Sequence, residues 1–303
     1  MYLTGFADEA ASGLAGQIAA TKELGWSHIE SRNIDGINIH DLPDTAFERA
    51  CEQLAEAKVQ INCFGSAIAN WQKQIDQPFE ASLAEAKRAI PRMQRLGTKL
   101  VRMMSFAVRK AADGTVLADQ LEQERFRRVR ELQRLFSDAG LTPVHENCMN
   151  YGGMGWTYTQ RLIENVPGLK LVFDTGNPTM TIDHSAEPAA DGTRPMQSSW
   201  NFYRQVREHV AYIHIKDGRI AADGKHVHTF AGEGAGEVKR VLADLLGRGY
   251  DGGISIEPHI AAVFHDPTVT SAEGRMRTSY LEYGRRVMRM IEEIRAATPG
   301  GPR

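Results

Sequence analysis

The stretch Leu171-Val172-Phe173-Asp174-Thr175-Gly176-Asn177 has the pattern of a short buried strand that ends on a carboxylate and breaks at once into a glycine-containing turn. The pattern recurs in three other stretches, Pro143-Val144-His145-Glu146-Asn147, Tyr212-Ile213-His214-Ile215-Lys216-Asp217 and Ile254-Ser255-Ile256-Glu257-Pro258. Each is an apolar run, rich in β-branched residues, that carries an acidic or imidazole side chain at its C-terminal end. We therefore expect one shared site that contains Glu146, Asp174, His214 and Glu257.

Strand and helix patterns alternate along the whole chain. Strands are predicted at Tyr2–Phe6, Ser27–Glu30, Val59–Phe64, Leu100–Met104, around Glu146, around Asp174, at Val210–Ile215 and at Gly253–Glu257. The clearest helix is Leu121–Ala139, and Pro91 predicts a kink or break within the helix Phe79–Leu96. Strict alternation predicts a parallel sheet, and eight units in 303 residues favour an α/β fold, a closed (β/α)8 TIM barrel, over an open sheet.

This pattern predicts one barrel domain over residues 1–297, followed by a flexible C-terminal tail at 298–303. A net charge of −2 without a long basic run argues against a nucleic-acid partner. The three cysteines show no recurring spacing, which indicates a reducing, cytoplasmic location. No apolar run is long enough to cross a membrane, and the N-terminus lacks the features of a signal peptide.

The strand-end residues suggest metal chemistry, because the C-terminal ends of barrel strands meet on one face. Carboxylates and one imidazole together suit a single divalent ion, with Mn²⁺ as our first expectation and Mg²⁺, Co²⁺ or Zn²⁺ as alternatives. Such an ion can hold adjacent oxygens of a hydroxyketone and stabilise an enediolate. Glu146 and Glu257 could then act as acid and base, provided that the site tunes their pKa values towards neutrality. For each residue taken alone, helix capping or a local ion pair is the alternative, and His214 could be a core histidine.

Other side chains at the same strand ends are candidates for substrate contact. Arg102 ends strand four, Glu30 ends strand two and Lys216 follows His214. For these three residues a local ion pair or a buried partner is the alternative. His259 is a further candidate, and an aromatic ring could stack on a sugar at Trp71, Trp156 or Trp200, for which packing between barrel and helix is the alternative.

Five motifs, in order, give the chain a resemblance to the xylose isomerase-like TIM barrel superfamily, whose sugar isomerase/epimerase branch includes ketose 3-epimerases, inosose dehydratases and apurinic endonucleases. They are His145-Glu146-Asn147, Phe173 to Asn177, Ile213 to Asp217, Gly232-Glu233-Gly234 and Ile256-Glu257-Pro258. The resemblance implies that Glu146, Asp174, His214 and Glu257 bind one metal and that Glu146 and Glu257 transfer protons.

The chain departs from the family at Asn177, where a histidine is common. In ketose 3-epimerases that histidine touches the substrate, so the resemblance assigns Asn177 to substrate contact and makes a plain ketose less certain. His226 and His228 precede the Gly232-Glu233-Gly234 motif. They resemble either substrate-contacting histidines of single-metal sugar enzymes or the additional zinc ligands of apurinic endonucleases.

Three functions remain open from the sequence. The favoured one is a divalent-metal-dependent isomerase or epimerase of a sugar, keto-sugar or polyol, working by Glu/Glu proton transfer next to a carbonyl through a metal-stabilised enediolate. A lyase or dehydratase acting on a keto-sugar or 3-keto-glycoside would use the same site. The others are a multi-zinc phosphodiesterase of the apurinic endonuclease type and a barrel that binds ligand without turnover. The expected partner is a small carbohydrate, and a homo-oligomer is possible for this family.

Overall fold

The structure, a computed structural model, describes residues 1–260 and 272–297, and within them eight strands alternate with eight helices. The strands are β1 Tyr2–Gly5, β2 His28–Ser31, β3 Gln60–Phe64, β4 Leu100–Met103, β5 Thr142–Glu146, β6 Lys170–Asp174, β7 Val210–Ile215 and β8 Gly253–Ile256. The helices are α1 Leu14–Glu23, α2 Asp44–Ala57, α3 Glu80–Leu96, α4 Glu122–Asp138, α5 Trp156–Asn165, α6 Ser199–Val206, α7 Val238–Gly247 and α8 Ala272–Ala297.

The eight strands form one parallel sheet in which the strands from β2 to β8 pair in chain order and β8 pairs with β1. A single parallel bridge between Phe6 and Glu30 links the remaining edges, β1 and β2, so the sheet is a nearly closed barrel. The prediction of an α/β TIM barrel in one domain is therefore confirmed. All strand C-terminal ends lie on the same rim, where barrels carry their functional residues.

Most of the apolar core lies between the barrel and its ring of helices. On α4, Phe126, Val129, Leu132 and Phe136 are all buried, as their helical spacing predicts. A second, smaller cluster contains Val144 and Tyr212, together with Cys63 and Val172. Cysteines 51, 63 and 148 are all free and buried.

Two elements of the structure, α3 and the segment after β7, differ from what the sequence predicts. Pro91 does not break α3, which is continuous from Glu80 to Leu96 and buries Ala89 and Met93 on the side opposite Pro91. The segment after β7 forms an antiparallel hairpin of Asp217–Ile220 with His226–Thr229, which is not among the predicted strands. The predicted tail at 298–303 lies outside the described residues. Within the described part of the chain, no helix has both the length and the apolar character needed to cross a membrane.

Candidate metal centre

Four buried side chains converge at the C-terminal rim of β5 to β8. Glu146 and Asp174 are the last residues of β5 and β6, His214 is the penultimate residue of β7, and Glu257 directly follows β8. One ligand atom from each residue lies within 4.8 Å of those of the other three. His214 Nδ1 is 3.3 Å from Glu146 Oε1, 3.7 Å from Glu257 Oε2 and 4.0 Å from Asp174 Oδ2. The strand ends therefore bring together the four residues that the sequence singled out.

Asp174 presents one free oxygen to the centre of this cluster. Its Oδ1 accepts hydrogen bonds from the backbone N–H groups of Gly176 at 2.8 Å and Asn177 at 2.6 Å, which fixes the carboxylate. Its Oδ2 is buried and, among the described residues, accepts no well-aligned hydrogen bond, although Lys216 Nζ lies 3.1 Å away. A buried carboxylate oxygen without a donor is costly. A cation in the cluster would satisfy it, and three carboxylates with one imidazole suit a divalent ion.

Glu30 fixes the orientation of His214 from beneath. It is fully buried, and its Oε2 lies 3.0 Å from His214 Nε2. Tyr212 and Ser255 donate their hydroxyl protons to the same oxygen at 2.9 and 2.6 Å. This network leaves His214 Nδ1 facing the cluster. In metal-ligating histidines a carboxylate on the other ring nitrogen commonly fixes the ring in this way. The position differs from the predicted substrate contact, since Glu30 points into the barrel interior and does not line the cavity at the rim.

The pKa of His214 makes metal binding dependent on pH. Burial acts to lower this pKa, but the carboxylates of Glu30 and Glu146 outweigh it and raise the pKa to about 10. The protonated ring therefore contributes stability that is fully present below its ordinary pKa of 6.5 and is lost as the pH rises through about 10. A metal ligand must be a neutral imidazole, so a cation has to displace this proton at neutral pH.

We expect the affinity of the metal-free protein for Mn²⁺ to rise about tenfold per unit between about pH 7 and pH 9, with release of about one proton per ion. Titration calorimetry in buffers of different ionisation enthalpy measures both quantities. An affinity that stays constant across this range would contradict the role assigned to His214.

We expect Glu30→Gln to weaken Mn²⁺ binding by about 10- to 100-fold. The carboxylate of Glu30 orients the His214 imidazole and strengthens it as a ligand, and a neutral amide loses the negative charge that does so. Competition with a fluorescent chelator measures the dissociation constant. Glu52→Gln, on the exposed side of α2, is the matched control and should bind the ion like the unchanged protein. Equal affinity in the two variants would remove Glu30 from the site.

The two glutamates are each held by cations of their own. Arg102 Nη1 lies 3.1 Å from Glu146 Oε2, and Asn177 Nδ2 donates to Glu146 Oε1 at 3.3 Å. Glu257 Oε2 lies 3.1 Å from Lys216 Nζ. Its Oε1 lies between Arg32 Nη1 at 3.4 Å and His259 Nε2 at 3.2 Å.

These partners keep both glutamates ionised. Burial acts to raise the pKa of Glu146, but Arg102 and His214 outweigh it and lower the pKa to about 2. Burial is likewise outweighed at Glu257, where Lys216 and His259 hold the pKa well below its ordinary value. The expectation of near-neutral glutamates is thus not met by the partners that surround them. The carboxyl group whose pKa is raised instead is Asp174, which burial brings to about 6.

A cavity of about 410 Å³, which we call the inner cavity, opens above the two glutamates. Four of the predicted substrate contacts line it: Arg102, Asn177, Lys216 and His228. Three do not, namely Glu30, His226 and Trp156. Trp156 begins α5 and packs against the hydrophobic core, which is the alternative that the sequence left open for it. Of the other candidates, Trp71 and His259 line the cavity as well.

The hairpin after β7 carries His226 and His228 to the rim. The two rings are in contact, with centroids 4.5 Å apart, and the ring of His228 also contacts that of His259 at 5.1 Å. Within residues 1–260 and 272–297, neither His226 nor His228 joins a group of potential metal ligands. This arrangement favours substrate contact by His228 over a role of the pair as additional zinc ligands.

Asp217 ties the Gly232-Glu233-Gly234 motif to the end of β7. Its carboxylate accepts hydrogen bonds from the backbone N–H groups of Gly232 at 2.8 Å, Gly234 at 3.1 Å and Gly236 at 2.8 Å. A Cβ atom on Gly234 would lie 2.2 Å from Asp217 Oδ1, so only glycine allows this close approach. The motif therefore holds the loop that follows the hairpin against the rim.

Arg32 is a site residue that the sequence analysis missed. It follows β2 by one residue, and its Nε lies 2.9 Å from Asp8 Oδ2 while its guanidinium stacks over the ring of Phe6. Glu9, beside Asp8, holds the backbone N–H of His259 at 2.8 Å and its Nδ1 at 2.9 Å. The available signal was an arginine directly after a strand end, opposite two acidic residues in the short segment that follows β1.

Comparisons with known proteins agree with this geometry. Residues 18–279 match the family described as xylose isomerase-like TIM barrel. A Mycobacterium smegmatis protein of this description, solved with magnesium, shares 17% identity at a TM-score of 0.66 and covers 96% of this chain and 97% of its own. A search of curated proteins gave no match.

Two further solved structures are similar in fold over almost the whole chain. A D-tagatose 3-epimerase-like protein has a TM-score of 0.68 and 15% identity, with 98% of this chain and 99% of its own covered. The probable 3-DHS dehydratase AsbF from Bacillus anthracis has a TM-score of 0.65 and 16% identity, with 92% and 97% covered. At these identities the likeness establishes a common fold.

Proposed function

Because the chain belongs to the xylose isomerase-like TIM barrel family, we propose that it is a divalent-metal-dependent isomerase or epimerase acting on a sugar, keto-sugar or related polyol. One observation carries the proposal: two ionised glutamates, Glu146 and Glu257, belong to a cluster of metal-ligand type at the floor of a single cavity. A D-tagatose 3-epimerase-like protein among the similar structures supports the same class of reaction.

Proton transfer is the work of the two glutamates. Glu146, held ionised by Arg102, takes the proton from a carbon next to the substrate carbonyl. Glu257, which approaches from the side of Lys216, takes up a proton from solvent and delivers it to the other face of that carbon, and Glu146 releases the abstracted proton to solvent after the turnover. In the reverse direction the two residues exchange roles. A bound substrate would exclude water from both carboxylates and so raise their pKa values towards the range that proton exchange needs.

The residues present fit one divalent ion, which Glu146, Asp174, His214 and Glu257 would hold. When bound, it would supply Lewis-acid stabilisation for negative charge on adjacent substrate oxygens. Mn²⁺ is our first candidate, and Mg²⁺, found in a similar structure, is an alternative together with Co²⁺ and Zn²⁺. Arg102, Asn177 and His228 line the cavity above, and in this proposal they orient the hydroxyl groups of the sugar.

The test is solvent exchange in D₂O with the Mn²⁺-loaded protein. We expect at least one of a panel of ketoses and 3-keto-glycosides to incorporate deuterium at a carbon next to the carbonyl, detected by proton NMR and mass spectrometry. Chelator-treated protein is the control and should lose the exchange. Absence of exchange from every compound, with metal bound and the fold intact, would contradict the proposal.

A second candidate, a lyase or dehydratase, begins with the same proton abstraction. A probable dehydratase among the similar structures favours keeping it. Asn177, which stands where the family often has histidine, is a second reason. The same experiment separates the two, since elimination gives an unsaturated product that lacks the leaving group, whereas an epimer has the mass of its substrate.

Three free buried cysteines fit a reducing compartment, and we propose the cytoplasm as the site of action.

A further inference from the structure

A second cavity, which we call the outer cavity, lies beside the inner cavity and is larger, at about 580 Å³ against about 410 Å³. The two share a wall of five residues: Trp71, Cys148, Met149, Met180 and Thr181. A molecule bound above Glu146 and Glu257 therefore lies next to the outer cavity. Together the two spaces exceed what a single sugar ring fills.

Apolar side chains dominate the outer cavity. Within the described residues, the large apolar side chains that are exposed number seven, and three of them line it: Trp71 at 37%, Met149 at 62% and Ile182 at 46% exposure. Val108 and Val116 add further apolar surface. Concentrated exposed apolar surface of this kind marks a binding surface, because it is costly to leave in contact with water.

The lining also limits the charge of the occupant. The described residues that line the outer cavity include Lys110 and His184 but no acidic side chain. A cationic group would find no counter-ion there, whereas a neutral or phenolic ring is compatible with these neighbours. Methionine side chains on the shared wall adapt to flat and irregular shapes and make favourable contacts with aromatic rings.

From these observations, and resting on the proposed function, we propose that the substrate is a sugar conjugate with a bulky apolar or aromatic substituent. The sugar unit occupies the inner cavity above Glu146 and Glu257. The substituent extends past Trp71 and Met149 into the outer cavity. A free ketohexose, which is polar on all sides, would leave the outer cavity hydrated and would use only the smaller of the two spaces.

The test compares the binding of two ligands that differ only in their substituent, phenyl 3-keto-β-D-glucopyranoside and its methyl counterpart. Titration calorimetry with the Mn²⁺-loaded protein gives both dissociation constants. We expect the phenyl compound to bind about 10- to 100-fold more tightly, which is the gain for moving one ring from water into an apolar site. Equal affinities, or no measurable binding of the phenyl compound, would overturn the inference.

Two variants locate the ring. Ile182→Trp narrows the outer cavity and should reduce the phenyl-to-methyl affinity ratio about tenfold. Ile220→Trp changes an equally apolar residue, 41% exposed on the hairpin outside both cavities, and should leave the ratio within about twofold. A ratio that Ile182→Trp leaves unchanged would place the ring elsewhere and overturn the inference.

The deuterium exchange experiment distinguishes this inference from the proposed function. Exchange into keto-sugars without any preference for the phenyl compound would uphold the proton-transfer function and reject the apolar subsite. A strong phenyl preference in binding, with no exchange from any compound, would retain the subsite and reject the proposed function.

Discussion

Glu146→Gln and Glu257→Gln should each lower the rate of epimerisation by about 10²- to 10⁴-fold, the range over which a positioned acid or base contributes. Each amide keeps the size of the side chain but can neither take nor return a proton. The two carboxylates act on opposite faces of the reacting carbon. Each variant should therefore keep some exchange of the carbon-bound hydrogen with solvent deuterium. We expect each variant to keep slow deuterium incorporation into one epimer, through its remaining glutamate, while conversion to the other epimer falls by the factor given above.

The control for this pair is Glu52→Gln, which should retain full activity. Metal content must be measured in the same samples, because both glutamates also belong to the candidate metal cluster. A variant that keeps its metal and loses epimerisation supports proton transfer. Full epimerisation in either variant with metal bound would falsify the assignment of the two glutamates as acid and base.

The second large effect concerns the stability of the metal-free protein. Lys216 Nζ, which is almost fully buried, lies 3.1 Å from both Asp174 Oδ2 and Glu257 Oε2. Lys216→Met would leave these carboxylates without their ammonium partner, and breaking a buried ion pair by removing one member costs about 3–5 kcal/mol. We expect a loss of this size in the free energy of unfolding, measured by urea denaturation at neutral pH with a chelator present.

Added Mn²⁺ should recover part of that loss, because a divalent ion in the cluster neutralises the same carboxylates. Lys225→Met is the matched control. The side chain of Lys225 is 81% exposed, and its ammonium group pairs with Asp223 at 3.1 Å. Exposed pairs contribute about 0–1 kcal/mol, so this change should be nearly silent. A Lys216→Met protein as stable as Lys225→Met in chelator would show that the buried charges are not arranged as described.

The barrel and the meeting of four strand-end residues were predictable from the sequence, because topology alone determines them. Parallel strands joined by helices place their C-terminal ends on one rim, whatever the side chains between them. The strand assignment therefore predicted that four residues lie close together, namely Glu146, Asp174, His214 and Glu257. Their role as ligands of a bound metal remains a prediction.

The supporting residues could not be placed from the sequence, because their roles depend on side-chain direction. Glu30 lies at a register shift between Ile29 and Glu30 where β2 pairs with β3, and such an irregularity breaks the simple alternation of strand faces. Its inward direction, towards His214, was therefore not available from spacing. Arg32 contacts Asp8 and Glu257 where the barrel closes. Arg32 and Glu257 are 225 positions apart in the sequence.

The pKa values and the outer cavity were beyond sequence analysis for a related reason. The pKa of Glu146 reflects burial and the summed charges of Arg102 and His214, which no local pattern records. The outer cavity is built from separate loops that contribute Trp71, Met149 and Ile182. Each of these residues is an isolated apolar position in the sequence, and only the fold groups them.

Metal stoichiometry is the most direct test of the central claim. Elemental mass spectrometry should be applied to protein purified without a His tag or chelator and, in parallel, to His214→Ala. We expect about one divalent ion per chain in the unchanged protein and little or none in the variant, since His214 supplies the nitrogen ligand of the cluster. An absence of bound metal in the unchanged protein, even after incubation with Mn²⁺ or Zn²⁺, would contradict the account.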